Sequence, residues 1–184
     1  MARGRPSKRQ LILDTARALF AEKGYQGTSI DLVVKEAGVS KPTVYNNFKT
    51  KQALLLALME ELSKESIASC NNLWKQEELS PADAIIEAFE NIANTPALLA
   101  VYRICYGESH KLEKETYQQF KQFDISLVDS YQQHLVDCNI EVSNSRFVTI
   151  IAICREGILI PALSGAEQTD KSIIKEIVES QLNN

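Results

Sequence analysis

The chain has 184 residues, which is enough for a small domain and a larger one or for a single domain with a good core. Its net charge is −4, but residues 1–51 hold 10 Lys and Arg against 4 Asp and Glu, whereas the remainder holds 10 against 20. A basic N-terminal part on an acidic remainder would draw only one end of the protein to phosphate. The sequence shows neither an export signal nor the ~18 to 20 consecutive apolar residues of a membrane span, so we expect a cytoplasmic protein.

The chain opens with a short basic segment, MARGRPSKR, that contains Arg3, Arg5, Lys8 and Arg9. Two interpretations remain open: a solvated tail, or an arm that rests on phosphate or in a minor groove. A first helix is predicted from Ser7 to Lys23, with Gly24 as its stop, because its apolar residues recur at helical spacing.

Two short helices joined by a tight turn are predicted between Thr28 and Lys51. Thr28 is expected to cap the first of them, Gly38 to end it, and Ser40 to cap the second. In the second helix Val44 and Phe48 fall on one face and point inward. The opposite face and flanks are polar and suit base edges and phosphates in a major groove; they consist of Lys41, Pro42, Thr43, Tyr45, Asn46 and Asn47.

The run GTSIDLVVKEAGVSKPTVYNNFKTKQALL resembles the DNA-binding domain of the tetracycline-repressor (TetR) family of bacterial transcription regulators. It departs from the family pattern at Val33 and Val34, at Thr50, and at Asn47, which replaces an aromatic residue. The resemblance implies a helix-turn-helix DNA-binding domain at residues 1–50 and a helical ligand-binding and dimerisation domain at residues 51–184. It also implies phosphate contacts from Thr28, Tyr45 and Lys51, and base contacts from Lys41, Pro42, Thr43 and Asn46.

The rest of the chain reads as six further helices, which makes an all-α fold of about nine helices, three of them in the DNA-binding part. No strand pattern or internal repeat is visible in the sequence. Capping residues and first-turn prolines mark the starts. The six helices are expected to begin at Thr50, Ser80, Thr95, about Lys111, Ser143 or Ser145, and Thr169.

The segment from Phe147 to Leu163 is apolar around most of its circumference, so packing on its own domain would leave apolar surface exposed. A partner chain is one cover; the alternative is a core helix buried in a monomer. The resemblance favours the partner, because TetR-like proteins pair their last two long helices across a dimer, and Gly157 would permit close approach there. The predicted interface comprises Phe147, Ile150, Ile151, Cys154, Ile158, Ile173 and Ile177.

Aromatic residues are abundant in the middle of the chain and predict an apolar effector cavity lined by the fifth to seventh helices. Aromatic residues at helical spacing are also typical of a plain core. Arg103 is a candidate for meeting an anionic group of the ligand, or for a salt bridge to Glu108 or Glu113. The predicted ligand-binding residues are Trp74, Phe89, Tyr102, Arg103, Tyr106, Tyr117 and Phe120.

Other chemistry is sparse in the sequence. His110 and His134 lack metal-ligand spacing, and the four cysteines lie within helical patterns, so we expect no metal, no cofactor and no enzyme. The leading hypothesis is a homodimeric repressor that a small molecule releases from a palindromic operator. The alternatives are a DNA-organising or protein-recruiting factor on the same scaffold without a ligand, and a redox-responsive repressor.

Overall fold

The computed structural model describes residues 7–76 and 78–183. Within those residues the chain forms nine helices and no strand, which confirms the predicted fold class. The helices are α1 (Lys8–Gly27), α2 (Ile30–Ala37), α3 (Lys41–Asn47), α4 (Lys51–Leu73), α5 (Pro81–Asn94), α6 (Pro96–Gly107), α7 (Lys114–Asp137), α8 (Asn144–Ser164) and α9 (Lys171–Leu182).

Polar side chains begin most of these helices. Ser40, Thr50 and Ser80 each accept a hydrogen bond from the backbone amide three residues ahead, as predicted from the sequence. The prediction for α2 was wrong: Ser29 caps it, whereas the Thr28 hydroxyl donates to the carbonyl of Gly24. The start of α7 also differs, because residues Ser109–Lys111 form a separate 3₁₀ turn before the helix begins.

Helices α1–α3, called the head below, share a core with the helices that follow, called the body (α4–α9). In the head, α1 packs against α2 and α3, and Val33, Val44 and Phe48 are buried between them. The junction is extensive, since α1 also packs along α6 and against α4. One continuous hydrophobic cluster runs from Ile12 in α1 to Val178 in α9. A displacement of α4 or α6 is therefore transmitted to the head through this shared core.

Helix α8 widens into a single π-helical stretch at Arg155–Leu159, and α9 packs beside it. Gly157 lies at the contact: a Cβ atom there would come within 2.8 Å of Ile174 Cδ1. The Gly157 carbonyl also accepts a hydrogen bond from the amide of Thr169, on the segment that leads into α9. Close approach at Gly157 therefore occurs within one chain, between α8 and α9.

The sequence was expected to contain no stretch as apolar as a membrane span, and α8 contradicts this. Among the described residues it is the one helix long and apolar enough to cross a membrane by length and composition, with a mean hydropathy of 1.8 over its most apolar stretch. In this fold 44% of that stretch is buried inside the protein. Its middle carries Arg155, which pairs with Asp124 of α7. These features are those of a core helix that keeps one face uncovered.

Candidate functional site

Helix α3 is seated on the head by its apolar face. Val44 and Phe48 are fully buried, and Ser40 caps the helix with its hydroxyl 3.3 Å from the amide nitrogen of Thr43. The preceding turn is held by Gly38, whose φ of 62° is the left-handed conformation that glycine adopts without strain. The orientation of α3 is therefore set by local sequence and by two side chains.

The outward face of α3 is polar and accessible, as the sequence predicted. Lys41, Pro42, Asn46 and Asn47 are exposed, and Tyr45 is 39% exposed. Thr43 is half-buried and shares a hydrogen bond with the Ser40 hydroxyl, while the Asn47 amide donates to the Thr43 carbonyl at 2.8 Å. Six of the eight predicted DNA-binding residues thus share one surface, and five of them are exposed.

Positive charge surrounds this face. Lys41 pairs with Asp31 at 2.7 Å, and that carboxylate raises the pKa of Lys41; both side chains are exposed, so phosphate competes with Asp31 for the ammonium group. Lys49, which the sequence interpretation overlooked, is exposed directly after α3. Arg9 lies over the Phe48 ring, 5.1 Å from its centroid, which places the described end of the basic arm beside α3. Arg3 and Arg5 lie outside the described residues.

Two predicted phosphate ligands, Thr28 and Lys51, make contacts with the end of α1. Thr28 is only 1% exposed, so its hydroxyl is not presented with the others. The Lys51 ammonium donates to the Tyr25 carbonyl at 2.7 Å and lies 4.0 Å from the centroid of the Tyr25 ring. Burial lowers the pKa of Lys51. Sequence spacing could not predict either contact, since both depend on the conformation of the last residues of α1 around Gly24 and Tyr25.

The predicted effector aromatics pack mainly against one another and do not surround a common cavity. Tyr102 contacts Phe120 edge to face at 5.2 Å between ring centroids, and stacks on Tyr106. Tyr117 stacks on Phe120. Elsewhere Phe89 packs against Tyr131, and Trp74 stacks on His134 at 5.1 Å. Phe89, Tyr102 and Phe120 are buried in the core, which was the plainer of the two interpretations, whereas Trp74 and Tyr117 are half-buried and Tyr106 is 46% exposed.

A half-buried cation does occur in this region, but it is Arg155 and not Arg103. Arg155 donates to one oxygen of Asp124, and the Tyr102 hydroxyl donates to the other at 2.9 Å. Burial and the Asp124 charge raise the pKa of Tyr102, so its hydroxyl stays protonated. The exposed Arg103 donates instead to the carbonyls of Ala162 and Leu163 at the end of α8. The predicted salt bridge from Arg103 to Glu108 or Glu113 is absent from the described contacts.

A cavity of about 150 Å³, partly open to solvent at Glu65, Ser69 and Asn91, lies between α4, α5, α6 and α7. Within the described residues, its lining includes none of the seven predicted ligand-binding residues. It is lined by Glu65, Ser66, Ser69, Cys70, Leu73, Ala88, Asn91, Ile92, Thr95, Leu98, Leu127 and Tyr131.

The predicted dimer residues divide between two faces. Phe147, Ile150, Ile151, Cys154 and Ile158 are buried within their own chain, so they belong to the core. The uncovered face of α8 and α9 is nevertheless apolar, with Val148 65% exposed and Ile173 51% exposed. Ile160 and Ala152 are also exposed there, and Ile177 is half-buried. The prediction that this region leaves apolar surface uncovered was correct, but most of the named residues lie on the other face.

Three of the four cysteines are poorly placed for redox chemistry, and the fourth, Cys138, is exposed. All four are free; Cys70, Cys105 and Cys154 are buried, and burial raises the pKa of Cys105 and of Cys154 to about 12. A thiol must ionise before it reacts. The geometry therefore does not favour the redox-responsive alternative.

Comparison with known proteins identifies the same N-terminal region. The model of the family "Bacterial regulatory proteins, tetR family" matches residues 12–58. The transcriptional repressor ComR of Escherichia coli (strain K12) is 30% identical over 140 residues, which cover 65% of this chain and 67% of ComR. The uncharacterised regulator YuxN of Bacillus subtilis (strain 168) is 46% identical over 52 residues, or 28% of this chain. The chain spans only 18% of the length of YuxN.

Solved structures agree over nearly the whole chain. The regulator FadR of Bacillus subtilis, solved in complex with stearoyl-CoA, superposes with a TM-score of 0.69 over 95% of this chain and 97% of its own. The identity is 18%, so this likeness concerns the fold. It extends the match from the head to the body, where sequence similarity is weak.

Proposed function

The chain belongs to the TetR family of transcriptional regulators, and from this premise we propose that it is a homodimeric, sequence-specific DNA-binding repressor released from a palindromic operator by a small molecule. Residues 1–50 are its DNA-binding domain and residues 51–184 its ligand-binding and dimerisation domain, and it acts in the cytoplasm. The single observation that carries the proposal is α3, a helix anchored by Val44 and Phe48 whose outer face is mainly polar and exposed.

The exposure of each side chain indicates whether it contacts a base or a phosphate. Lys41, Pro42, Thr43 and Asn46 face base edges, while Tyr45 and Asn47 flank them toward the backbone. Lys49 and Arg9 add phosphate contacts, because both are exposed beside α3. Thr28 contributes indirectly, because its hydroxyl donates to the Gly24 carbonyl and so stabilises the end of α1. Lys51 stabilises the same end of α1, because its ammonium group donates to the Tyr25 carbonyl.

Dimerisation uses the uncovered apolar face of α8 and α9, which includes Val148, Ile160 and Ile173. An exposed apolar face on two neighbouring helices is unfavourable in water and is covered when a second copy packs against it. Two copies related by a twofold axis carry two α3 helices, and this symmetry requires a palindromic DNA site.

Release by an effector acts through α4. This helix begins beside α3 at Lys51 and contributes Ser66, Cys70 and Leu73 to the body cavity, roughly 22 to 33 Å further along at 1.5 Å per residue. A ligand that shifts this part of α4 tilts the head and moves the two α3 helices away from the ~34 Å repeat of successive major grooves. FadR of Bacillus subtilis, which shares the fold, was solved with stearoyl-CoA, and this supports ligand binding in the present chain.

Selection of DNA from a random duplex library tests the proposal. The purified full chain should enrich an inverted repeat whose half-sites are separated by about one helical turn. Asn46→Ala, which leaves the buried face of α3 intact, should enrich a less restricted sequence. Recovery of DNA without any shared sequence would contradict the repressor and favour the DNA-organising alternative.

A further inference from the structure

An ion pair joins the first turn of α2 to the first residue of α3. The Lys41 ammonium group lies 2.7 Å from one carboxylate oxygen of Asp31. Both side chains are exposed, that of Lys41 at 53% and that of Asp31 at 70%. No other ion pair of the Asp31 carboxylate occurs among the described residues. Because an exposed ion pair contributes little to stability, the needs of the fold alone do not explain this one.

Two other cations beside α3 are placed differently. Lys49 and Arg9 flank the helix, and neither forms an ion pair within the part of the chain that the structure describes. Such cations suit phosphate, which DNA offers on every sequence. Lys41 lies instead on the outer face of α3, and the Asp31 carboxylate beside it repels a phosphate. The pair of Lys41 and Asp31 therefore suits a partner without net charge, such as a base edge.

The pair presents a hydrogen-bond donor and an acceptor side by side. The Lys41 ammonium group only donates, and the Asp31 carboxylate only accepts. A G·C base pair presents the complementary groups in the major groove, because guanine O6 and N7 accept and the cytosine N4 amino group donates. O6 and N4 share a base-pairing hydrogen bond, so they lie about 2.9 Å apart. The corresponding distance between Lys41 and Asp31 is 2.7 Å, so both residues can meet one base pair.

An A·T base pair also offers an acceptor beside a donor, thymine O4 beside adenine N6, but it fits the pair less well. The Lys41 ammonium group has three donors and can use both O6 and N7 of guanine. Thymine offers O4 alone at the corresponding place, flanked by its apolar methyl group. The hydrogen-bonding groups of the pair therefore favour G·C over A·T.

We propose that Lys41 and Asp31 act as one unit that reads a single G·C base pair in each half-site, with Lys41 donating to guanine O6 and N7 and Asp31 accepting from cytosine N4. The inference rests on the proposed function and deepens it, since it adds a residue of α2 to the base contacts and names the base pair. Asp31 is thereby a specificity-determining residue. On a non-specific duplex its charge only opposes the phosphate that competes for Lys41.

The affinities of the full chain for the selected duplex, and for every single-base variant of that duplex, test the unit. Asp31→Ala and Lys41→Ala should each reduce the preference for G·C at the same base pair, by about 5- to 100-fold. The double variant should lose little more than either single variant, because both groups serve one base pair. Unchanged preferences in Asp31→Ala, or losses at two different base pairs, would overturn the inference.

Glu36→Ala is the matched control. Glu36 is an exposed carboxylate at the other end of α2, 4.0 Å from the ammonium group of Lys35. Its replacement removes one negative charge, as Asp31→Ala does, so it should change the affinity for all duplexes alike and leave each base preference as in the wild type. An equal loss of G·C preference in both variants would attribute the effect to net charge and contradict the unit.

A modified base tests the same contact in the wild type, where no substitution can affect folding. N4-methylcytosine still pairs with guanine, but a methyl group replaces the N4 hydrogen that points into the major groove. At the assigned base pair it should weaken binding of the wild type about 5-fold or more and leave binding of Asp31→Ala unchanged. Unimpaired binding of the wild type, or equal weakening in both proteins, would reject the contact from Asp31 to cytosine.

The same duplexes separate this inference from the proposed function. A wild type that prefers no sequence would contradict the repressor and the base-reading unit together. A wild type that prefers an inverted repeat, and keeps every preference in Asp31→Ala, would leave the sequence-specific DNA-binding function standing and overturn the role of Asp31 alone.

Discussion

Helices α3 and α8 each bury one face in the chain and leave another uncovered, but the two uncovered faces differ in chemistry. That of α3 presents lysine, asparagine and tyrosine side chains, and that of α8 presents Val148, Ala152 and Ile160. Water solvates the first face without cost and the second only at a cost. A polar uncovered face suits a polar partner such as DNA, whereas an apolar one suits a second protein surface. The polarity of the uncovered side chains, and not the helical conformation that both segments share, therefore determines which kind of partner each helix suits.

The largest effect should come from a matched pair of substitutions on the two faces of α8. Ile151→Glu buries a charge in the core, because Ile151 is only 8% exposed, and should lower the free energy of unfolding by several kcal/mol. Val148→Glu lies on the uncovered face and should leave the monomer folded while it prevents dimerisation. Sedimentation and thermal unfolding distinguish the outcomes. A folded dimer in Val148→Glu would show that the interface lies elsewhere.

Base recognition by α3 should give the next largest effect. Asn46→Ala should relax the preference at one or two base pairs by about 1 to 3 kcal/mol each, because it removes side-chain hydrogen bonds to a base edge. Lys49→Ala serves as the control: it should weaken binding to all sequences alike and reduce the salt slope by about 0.9. Binding measured across single-base operator variants at several salt concentrations separates the two patterns. An unchanged preference in Asn46→Ala would remove that residue from the base contacts.

Lys51→Ala asks whether this lysine belongs to the DNA surface or to the junction of head and body. We expect a loss of about 1 to 2 kcal/mol in the free energy of unfolding, since the substitution removes a hydrogen bond and a cation–π contact with Tyr25. The salt slope of DNA binding should stay unchanged. A slope reduced by about 0.9 would instead show that Lys51 leaves Tyr25 for a phosphate.

The smallest effect concerns pH and His134, which stacks on Trp74 and has its pKa lowered from the usual value by burial. The unfolded chain then binds a proton more readily than the folded one, so stability is complete above pH ~6.5 and falls as pH decreases toward the folded pKa. Urea unfolding at pH 7.5 and 5.5, followed by Trp74 fluorescence, measures the loss. His134→Gln should lose less stability between these pH values, whereas His110→Gln, at an exposed position, should behave like the wild type.

Local signals were enough to predict the head. The caps at Ser40 and Thr50, the left-handed Gly38 and the inward pair Val44 and Phe48 all act within a few residues, so the sequence alone specifies α3 and its outer face. The same reasoning yielded nine helices. Thr28 was assigned wrongly because two adjacent hydroxyl residues compete for the cap, and only the fold at Gly24 decides between them.

The ligand-binding and interface residues of the body could not be predicted from the sequence, because the role of each residue depends on which helices pack beside it. An apolar stripe predicts burial but does not say whether the cover comes from the same chain, as for Ile151 and Ile158, or is still lacking, as for Val148. Arg103 and Arg155 look alike in the sequence. Tertiary packing brings Arg155 to Asp124 and Arg103 to the last carbonyls of α8. The cavity likewise depends on four helices meeting, and no motif records it.

The contact between Gly157 and Ile174 limits how this protein can vary in evolution. Since a Cβ at residue 157 would meet the end of the Ile174 side chain at 2.8 Å, a larger residue at 157 requires Ile174 to shift. Among descendants of this sequence, a larger residue at 157 should therefore occur more often together with a smaller one at 174. Gly157→Ala combined with Ile174→Val should lower the free energy of unfolding less than Gly157→Ala alone. The two positions should therefore covary within the region proposed for dimerisation.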